Sequence, residues 1–179
     1  MALSPIGVSI KVEGVDLAVQ HISKKMNRLQ DKMHTFANKL AEIGVSFMNV
    51  GFRTAVYDGT PDVQIGSPSW VSDMVLEIPV TGSTVAFIEF GTGVHYGESH
   101  PKAAELGAVR GEYGHKRGRN DTWKYYGDPG SMGWYQTTNE RAKGLVTTHG
   151  NPPNSVMYNA SKQMRMQILE IARSVFADD

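Results

Sequence analysis

V-D-L-A-V-Q-H-I-S-K-K-M-N-R-L-Q-D-K-M-H-T-F-A-N-K-L-A-E-I-G-V-S-F-M-N-V, residues Val15 to Val50, puts apolar side chains at Val15, Val19, Ile22, Met26, Leu29, Met33, Phe36, Leu40, Ile43, Phe47 and Val50. Steps of four and three without a break trace one face of an α-helix. The pattern predicts a single long helix over 15–57, stopped by Asp58-Gly59. At 1.5 Å per residue it reaches about 63 Å, more than a small domain is wide. A seven-residue repeat sustained this far reads as a seam for another helix. Met26 and Met33 make the seam adaptable. Beside it, Ala37, Gly44 and Gly51 leave room for a second backbone, at about 1 kcal/mol of helix propensity per glycine. The two glycines also offer places for a bend.

Beyond Tyr57-Asp58-Gly59-Thr60-Pro61 the apolar period falls to two, and strands are expected over 62–90. Val63 and Ile65 mark a short first strand. Val71 to Val80 carries Met74, Leu76, Ile78 and Val80 on one face, with Asp73 and Glu77 on the other. Thr81-Gly82-Ser83 then connects into Thr84 to Phe90, most simply as a hairpin. That last strand runs into F-I-E-F-G-T-G-V-H-Y, Phe87 to Tyr96, where Gly91 and Gly93 permit a sharp turn. Glu89 is a lone carboxylate on an apolar strand, and must be paired, exposed at the rim or held by turn amides.

An extended loop is expected over 91–143. Gly91 to Tyr135 holds ten of the nineteen glycines, but also five of the seven tyrosines and two of the three tryptophans, which a plain linker lacks. A short helix fits Pro101 to Val109 and a last strand fits 144–148. Asn151-Pro152-Pro153-Asn154 opens a C-terminal helix over 152–176, with the stripe Met157, Ala160, Met164, Ile168, Ile171 and Val175. Two amphipathic helices on a small antiparallel sheet make an α+β fold, and 179 residues suit one domain, 1–179.

Lysine plus arginine equals aspartate plus glutamate at 18 each, so no net field draws the chain to nucleic acid or an acidic membrane. The absence of cysteine rules out disulfides and thiolate chemistry. No segment reads as a signal peptide or a membrane span. Asp58, Asp62, Asp73, Glu77, Glu89 and Glu98 nevertheless fall in a block from Asp58 to Pro101 without lysine or arginine. Such a block either caps turns and solubilises a sheet face, or forms an acidic surface that meets the basic flanks, inside the fold or between copies.

Constellations for chemistry are weak. His95, Glu98 and His100 in H-Y-G-E-S-H, with Glu89 nearby, have zinc-ligand chemistry but match no ligand spacing, so neither a metal nor another cofactor is expected. Gly91-Thr92-Gly93 is followed by no lysine and reads as a turn, not a phosphate cradle. No serine lies in a strained elbow, and no carboxylates pair as acid and base, so an enzyme is not expected. Arg110, Lys116, Arg117, Arg119 and Lys124, interleaved with Tyr113, His115, Trp123, Tyr125 and Tyr126, suit either a protein partner or single-stranded nucleic acid gripped by a basic aromatic loop at 110–126. The zero net charge favours the protein partner.

The strand end Glu89-Phe90-Gly91-Thr92-Gly93, together with T-H-G-N-P-P-N-S-V-M-Y-N-A-S-K from Thr148 to Lys162, resembles the neck or tail-completion (head-tail connector) proteins of long-tailed bacteriophages. So does the order of the whole chain: V-E-G-V-D at Val12 to Asp16, the long helix, strands, a variable loop and a proline-led last helix. H-P-K-A-A-E-L-G-A-V-R-G from His100 to Gly111 is similar to members from phages of Gram-positive hosts. The resemblance implies a non-enzymatic virion protein, assembled in the host cytoplasm. It would form a ring of about six or twelve copies between head connector and tail tube, with neighbouring neck and tail-tube proteins as partners and DNA passing non-specifically through the lumen. Met26, Met33, Phe36, Phe47, Glu89, Arg110, Tyr113, Arg117, Arg119, Trp123, Tyr125, Tyr126 and Trp134 are the residues expected to face such partners.

Overall fold

The seven-spaced pattern forms one unbroken helix, α1 (Val15–Arg53), in the computed structural model, which describes residues 14–96, 100–109, 120–135 and 143–177. Its 39 residues extend about 58 Å. Neither Gly44 nor Gly51 breaks it. It stops a turn earlier than 57 because Asn154 captures the next backbone, accepting from Val56 N at 2.8 Å and donating to Val56 O at 3.0 Å.

The rest of the α+β fold follows as β1 (Gln64–Ile65), β2 (Ser69–Ser72), β3 (Val75–Glu77), β4 (Val80–Thr81), α2 (Val85–Phe90), β5 (Trp123–Tyr126), β6 (Trp134–Tyr135), β7 (Leu145–Thr148) and α3 (Val156–Phe176). All pairings are antiparallel: β1 with β4, β2 with β3, and a three-stranded sheet in the order β5-β7-β6. β7, the expected last strand, is its centre.

Four expectations fail. Thr84 to Phe90 is not a strand: Val85–Phe90 is helical, so the hairpin with Val71 to Val80 does not exist. V-A-F-I-E-F is apolar but for Glu89 and has no period of its own. Asp62 decides its conformation by accepting from Ser83 N at 2.7 Å, from Thr84 N at 2.9 Å and from Thr84 Oγ1 at 2.6 Å, which fixes the entry to α2. Val71 to Val80 is likewise divided, with Met74 in the β2–β3 turn and 85% exposed rather than in the core. Finally, part of the expected 91–143 loop is sheet, since β5 and β6 both pair with β7. Pro101 to Gly107 forms only turns, closed by Ala108 N donating to Ala103 O at 2.8 Å.

The core gathers Met48 and Phe52 of α1, Ile88 of α2, and Val156 and Ala160 of α3, with Val63, Ile65, Ile78 and Val80 packed around them. α3 runs antiparallel to α1: Val156 lies over Gly51, Met164 over Gly44, and Phe176 beside Phe36 with ring centroids 6.1 Å apart. The small-residue line predicted beside the seam is therefore used, but by a helix of the same chain.

Candidate functional site

Packing α3 against Ala41, Gly44, Met48 and Phe52 rotates the heptad seam away from the core. Seam residues Val15, Val19, Ile22, Met26, Leu29 and Met33 are exposed, Met26 at 65% and Met33 at 45%. Phe36, Leu40 and Ile43 are half-buried, and Phe47 (45%) and Val50 are exposed again. Phe47 and Val50 line a groove between the two helices together with Val156 and Ala160. Counting back from Phe36, α1 runs about 30 Å beyond the last residue that α3 reaches. Trp70 of β2 packs against His34 of α1 with ring centroids 4.2 Å apart and the planes tilted by 33°. The adjoining β2–β3 turn exposes Val71, Met74 and Val75. Scattered apolar residues on a surface are ordinary, whereas here exposed apolar residues line up along one helix from Val15 to Met33.

Glu89, expected to face a partner, does not: it is 2% exposed. It is instead paired inside the fold. Oε1 accepts from His100 Nε2 at 2.9 Å and from Tyr158 N at 3.0 Å, while Oε2 accepts from Met157 N at 2.8 Å. Lys102 N donates to His100 Nδ1 at 3.0 Å, which places the imidazole proton on Nε2 and makes His100 a neutral donor. Glu89 thus caps α3 from a distance, its negative charge set against the amides at the start of that helix. The cap is needed because Ser155, at the helix start, offers no side-chain cap of its own. The expected asparagine cap is absent too, Asn154 being spent on Val56 and Ile88. Phe90 and Tyr158 close over the pair, edge-on to the His100 ring at 4.7 and 5.5 Å.

The two stretches that carry the phage resemblance meet here. Asn154 N donates to Ile88 O at 2.9 Å, Ser155 N to Glu89 O at 3.1 Å, and Thr92 N to Asn151 O at 2.8 Å. Gly91 (φ 74°) passes so close that a Cβ would sit 2.7 Å from Asn151 O, and at Gly93 (φ 75°) one would sit 2.7 Å from the Trp123 ring. Only glycine meets both demands at these positions. E-F-G-T-G and G-N-P-P-N-S are accordingly two halves of one internal joint.

The acidic block is divided, with Asp58 and Glu89 buried and Asp62, Asp73 and Glu77 exposed. Asp58 is buried and accepts from Met132 N at 2.8 Å and from the Thr148 hydroxyl, tying the α1–β1 turn to the sheet. Burial pushes its carboxyl above the usual range, against the pull of those bonds. Asp62 is spent on Ser83 and Thr84, which hold its carboxyl well below that range. Of the six carboxylates, Glu98 lies outside the described residues, and Asp73 and Glu77 remain exposed without an internal role among the contacts above.

In the basic aromatic loop, Arg110, Tyr113, Arg117 and Arg119 lie outside the described residues. Its later part is β5, where Trp123 and Tyr125 are half-buried while Lys124 and Tyr126 face outward. Burial, with Asp58 nearby, raises the Tyr125 phenol to about 12, and its hydroxyl donates to Asp128 O at 2.6 Å. Trp134 is 43% exposed on β6. The grouping of His95 with His100 and Glu89 does not form, since the latter two make the buried pair and His95 turns to Asp121. Among the described residues no helix is long and apolar enough to cross a membrane. Neither known protein families, nor curated proteins, nor solved structures give a match to this chain.

Proposed function

We propose that this chain is a structural component of a long-tailed phage neck, and that copies of it associate through the α1 seam into a ring joining head connector to tail tube. It carries out no reaction. The observation that carries the proposal is the solvent-facing stripe from Val15 to Met33, continued by Phe47 and Val50, which the chain's own α3 leaves uncovered. Burying a methionine or leucine side chain contributes about 1.5–3 kcal/mol each, so a partner helix along this stripe gains a large apolar term. In a closed ring, one patch meets a different patch on the next copy, and the α1 stripe and the β2–β3 tip offer two such patches.

The resemblance of E-F-G-T-G and G-N-P-P-N-S to neck proteins supports the same reading, because both stretches serve to hold the helices in place. Glu89, the most acid-base-like group of the resemblance, is buried with both oxygens occupied by donors. The test is light scattering and electron microscopy of the full chain, with imaging of particles of the phage that encodes it. A ring at the neck is expected. A chain absent from mature particles, or one that works alone and turns over a small molecule, overturns the proposal.

A further inference from the structure

At one end of the three-stranded sheet, three segments distant in sequence bring two imidazoles and a carboxylate together. His95 Nδ1 lies 3.3 Å from Asp121 Oδ1, and His149 Nδ1 lies 3.1 Å from Asp121 Oδ2. One ligand-capable atom from each residue falls within 4.8 Å of the others. We propose that His95, Asp121 and His149 form a binding site for a divalent transition-metal ion of the zinc class, held through both Nδ1 atoms and one carboxylate oxygen, with the remaining coordination open to water.

The donor set fits the ion. Two neutral imidazoles and a carboxylate are borderline ligands that Zn²⁺, Co²⁺ and Ni²⁺ accept, whereas Mg²⁺ and Ca²⁺ favour oxygen alone. Tetrahedral ligands about 2.0–2.1 Å from zinc stand about 3.3 Å from one another, and each nitrogen already stands near that distance from an Asp121 oxygen, His95 from Oδ1 and His149 from Oδ2, so the carboxylate must also turn for one oxygen to serve both. The two rings stack at 4.3 Å and 26°, so each must turn modestly for its lone pair to reach a common point. Side-chain exposures of 46% for His95, 33% for His149 and 65% for Asp121 leave them free to do so.

The frame beneath these side chains is fixed by the fold. Asp121 and His149 flank the Trp123–Thr148 pair, where β5 begins and β7 ends. The segment bearing His95 is tied to the exit of β7 by Thr92 N to Asn151 O at 2.8 Å and Asn151 N to Thr92 Oγ1 at 2.9 Å. The Trp123 ring fills the space beside Gly93 and Gly150. Trp134 lies against His149 and Tyr96 against His95, with ring centroids 5.2 and 5.1 Å away. An ion here staples the loop after α2 to the start of β5 and the end of β7. The inference stands on this geometry and does not depend on ring assembly.

The test uses the full chain without an affinity tag, treated with chelator and dialysed, then titrated with Zn²⁺ by calorimetry and with Co²⁺ by visible absorption. Expected are one ion per chain, a four-coordinate Co²⁺ spectrum that Zn²⁺ displaces, and a rise in Tm of about 5–10 °C when free Zn²⁺ is about 100 times Kd. His149→Gln and Asp121→Asn each weaken binding at least about tenfold. His21→Gln, exposed on α1, leaves it unchanged. Metal-free melting of each variant within about 2 °C of the parent shows that the fold is intact. Binding no tighter than millimolar, binding that survives both ligand substitutions, or binding that falls equally with His21→Gln overturns the proposal.

Discussion

Replacing Glu89 by glutamine removes a charge and exchanges one acceptor for a donor while keeping the shape of the side chain. The carboxylate accepts from His100 Nε2, Tyr158 N and Met157 N. Glutamine has one acceptor oxygen, so if it keeps His100 and Tyr158, its amide N–H₂ faces the Met157 N–H, and two donors are left opposed. A hydrogen bond to a charged acceptor is worth about 1.5–3 kcal/mol, and a buried donor left unsatisfied costs about 1–3 kcal/mol. The removed desolvation of the carboxylate offsets part of this, and we expect a net loss of about 3 kcal/mol. For a chain of this length that lowers Tm by about 6–12 °C. Thermal and urea unfolding followed by circular dichroism measure it, with Asp73→Asn, on the exposed β2–β3 turn, expected to change stability by no more than about 0.5 kcal/mol. If Glu89→Gln melts within about 1 °C of the parent, the carboxylate is not holding the start of α3 and the joint has been misread.

The two glycines of α1 should part company on substitution. At Gly51 a Cβ meets the branched Val156 Cγ1 at 2.5 Å, so Gly51→Ala is expected to cost about 1–3 kcal/mol by overpacking, whereas at Gly44 it meets the flexible Met164 thioether at 2.6 Å and Gly44→Ala should be near neutral. Equal effects at the two sites would contradict the antiparallel α1–α3 packing. Asp62 links stability to pH: bonds from Thr84 and then Ser83 hold its carboxyl well below the ordinary 3.8, so the folded state takes up the proton less readily than the unfolded one. Its contribution is complete above the ordinary range and drains away as pH falls below about 4. Acid titration of Asp62→Asn should therefore show a shallower loss than the parent in that window, and identical slopes would count against the cap on α2.

What the amino-acid pattern discloses here follows from how local its causes are. α1, α3 and β7 were legible because their apolar spacing is long and regular, or because turn residues bracket it. Val85 to Phe90 was not, for a short run apolar but for Glu89 has no period, and its conformation comes from Asp62, more than twenty residues earlier. β5 carried an alternating signal in Trp123-Lys124-Tyr125-Tyr126, hidden by surrounding glycines that resemble loop. Glu89 was identifiable as a buried acid in need of a partner. Which partner was not, because His100 stands 11 residues away and Tyr158 stands 69. The seam was found, but its rotation away from the core depends on Gly44 and Gly51 admitting α3 instead. His95 attracted notice in sequence for neighbours it does not use; Asp121 and His149 reach it only through the register of β5 on β7.

The absence of cysteine gives a direct measurement of whether the α1 seam is covered by another copy. A single Met26→Cys introduced on the exposed stripe is the chain's one thiol, and its labelling by a maleimide can be compared in isolated protein and in assembled particles. The account predicts rapid labelling in the isolated chain, protection in the particle, and cross-linking between copies by a short bifunctional maleimide. Rapid labelling in the particle, with no cross-linked species, would contradict it.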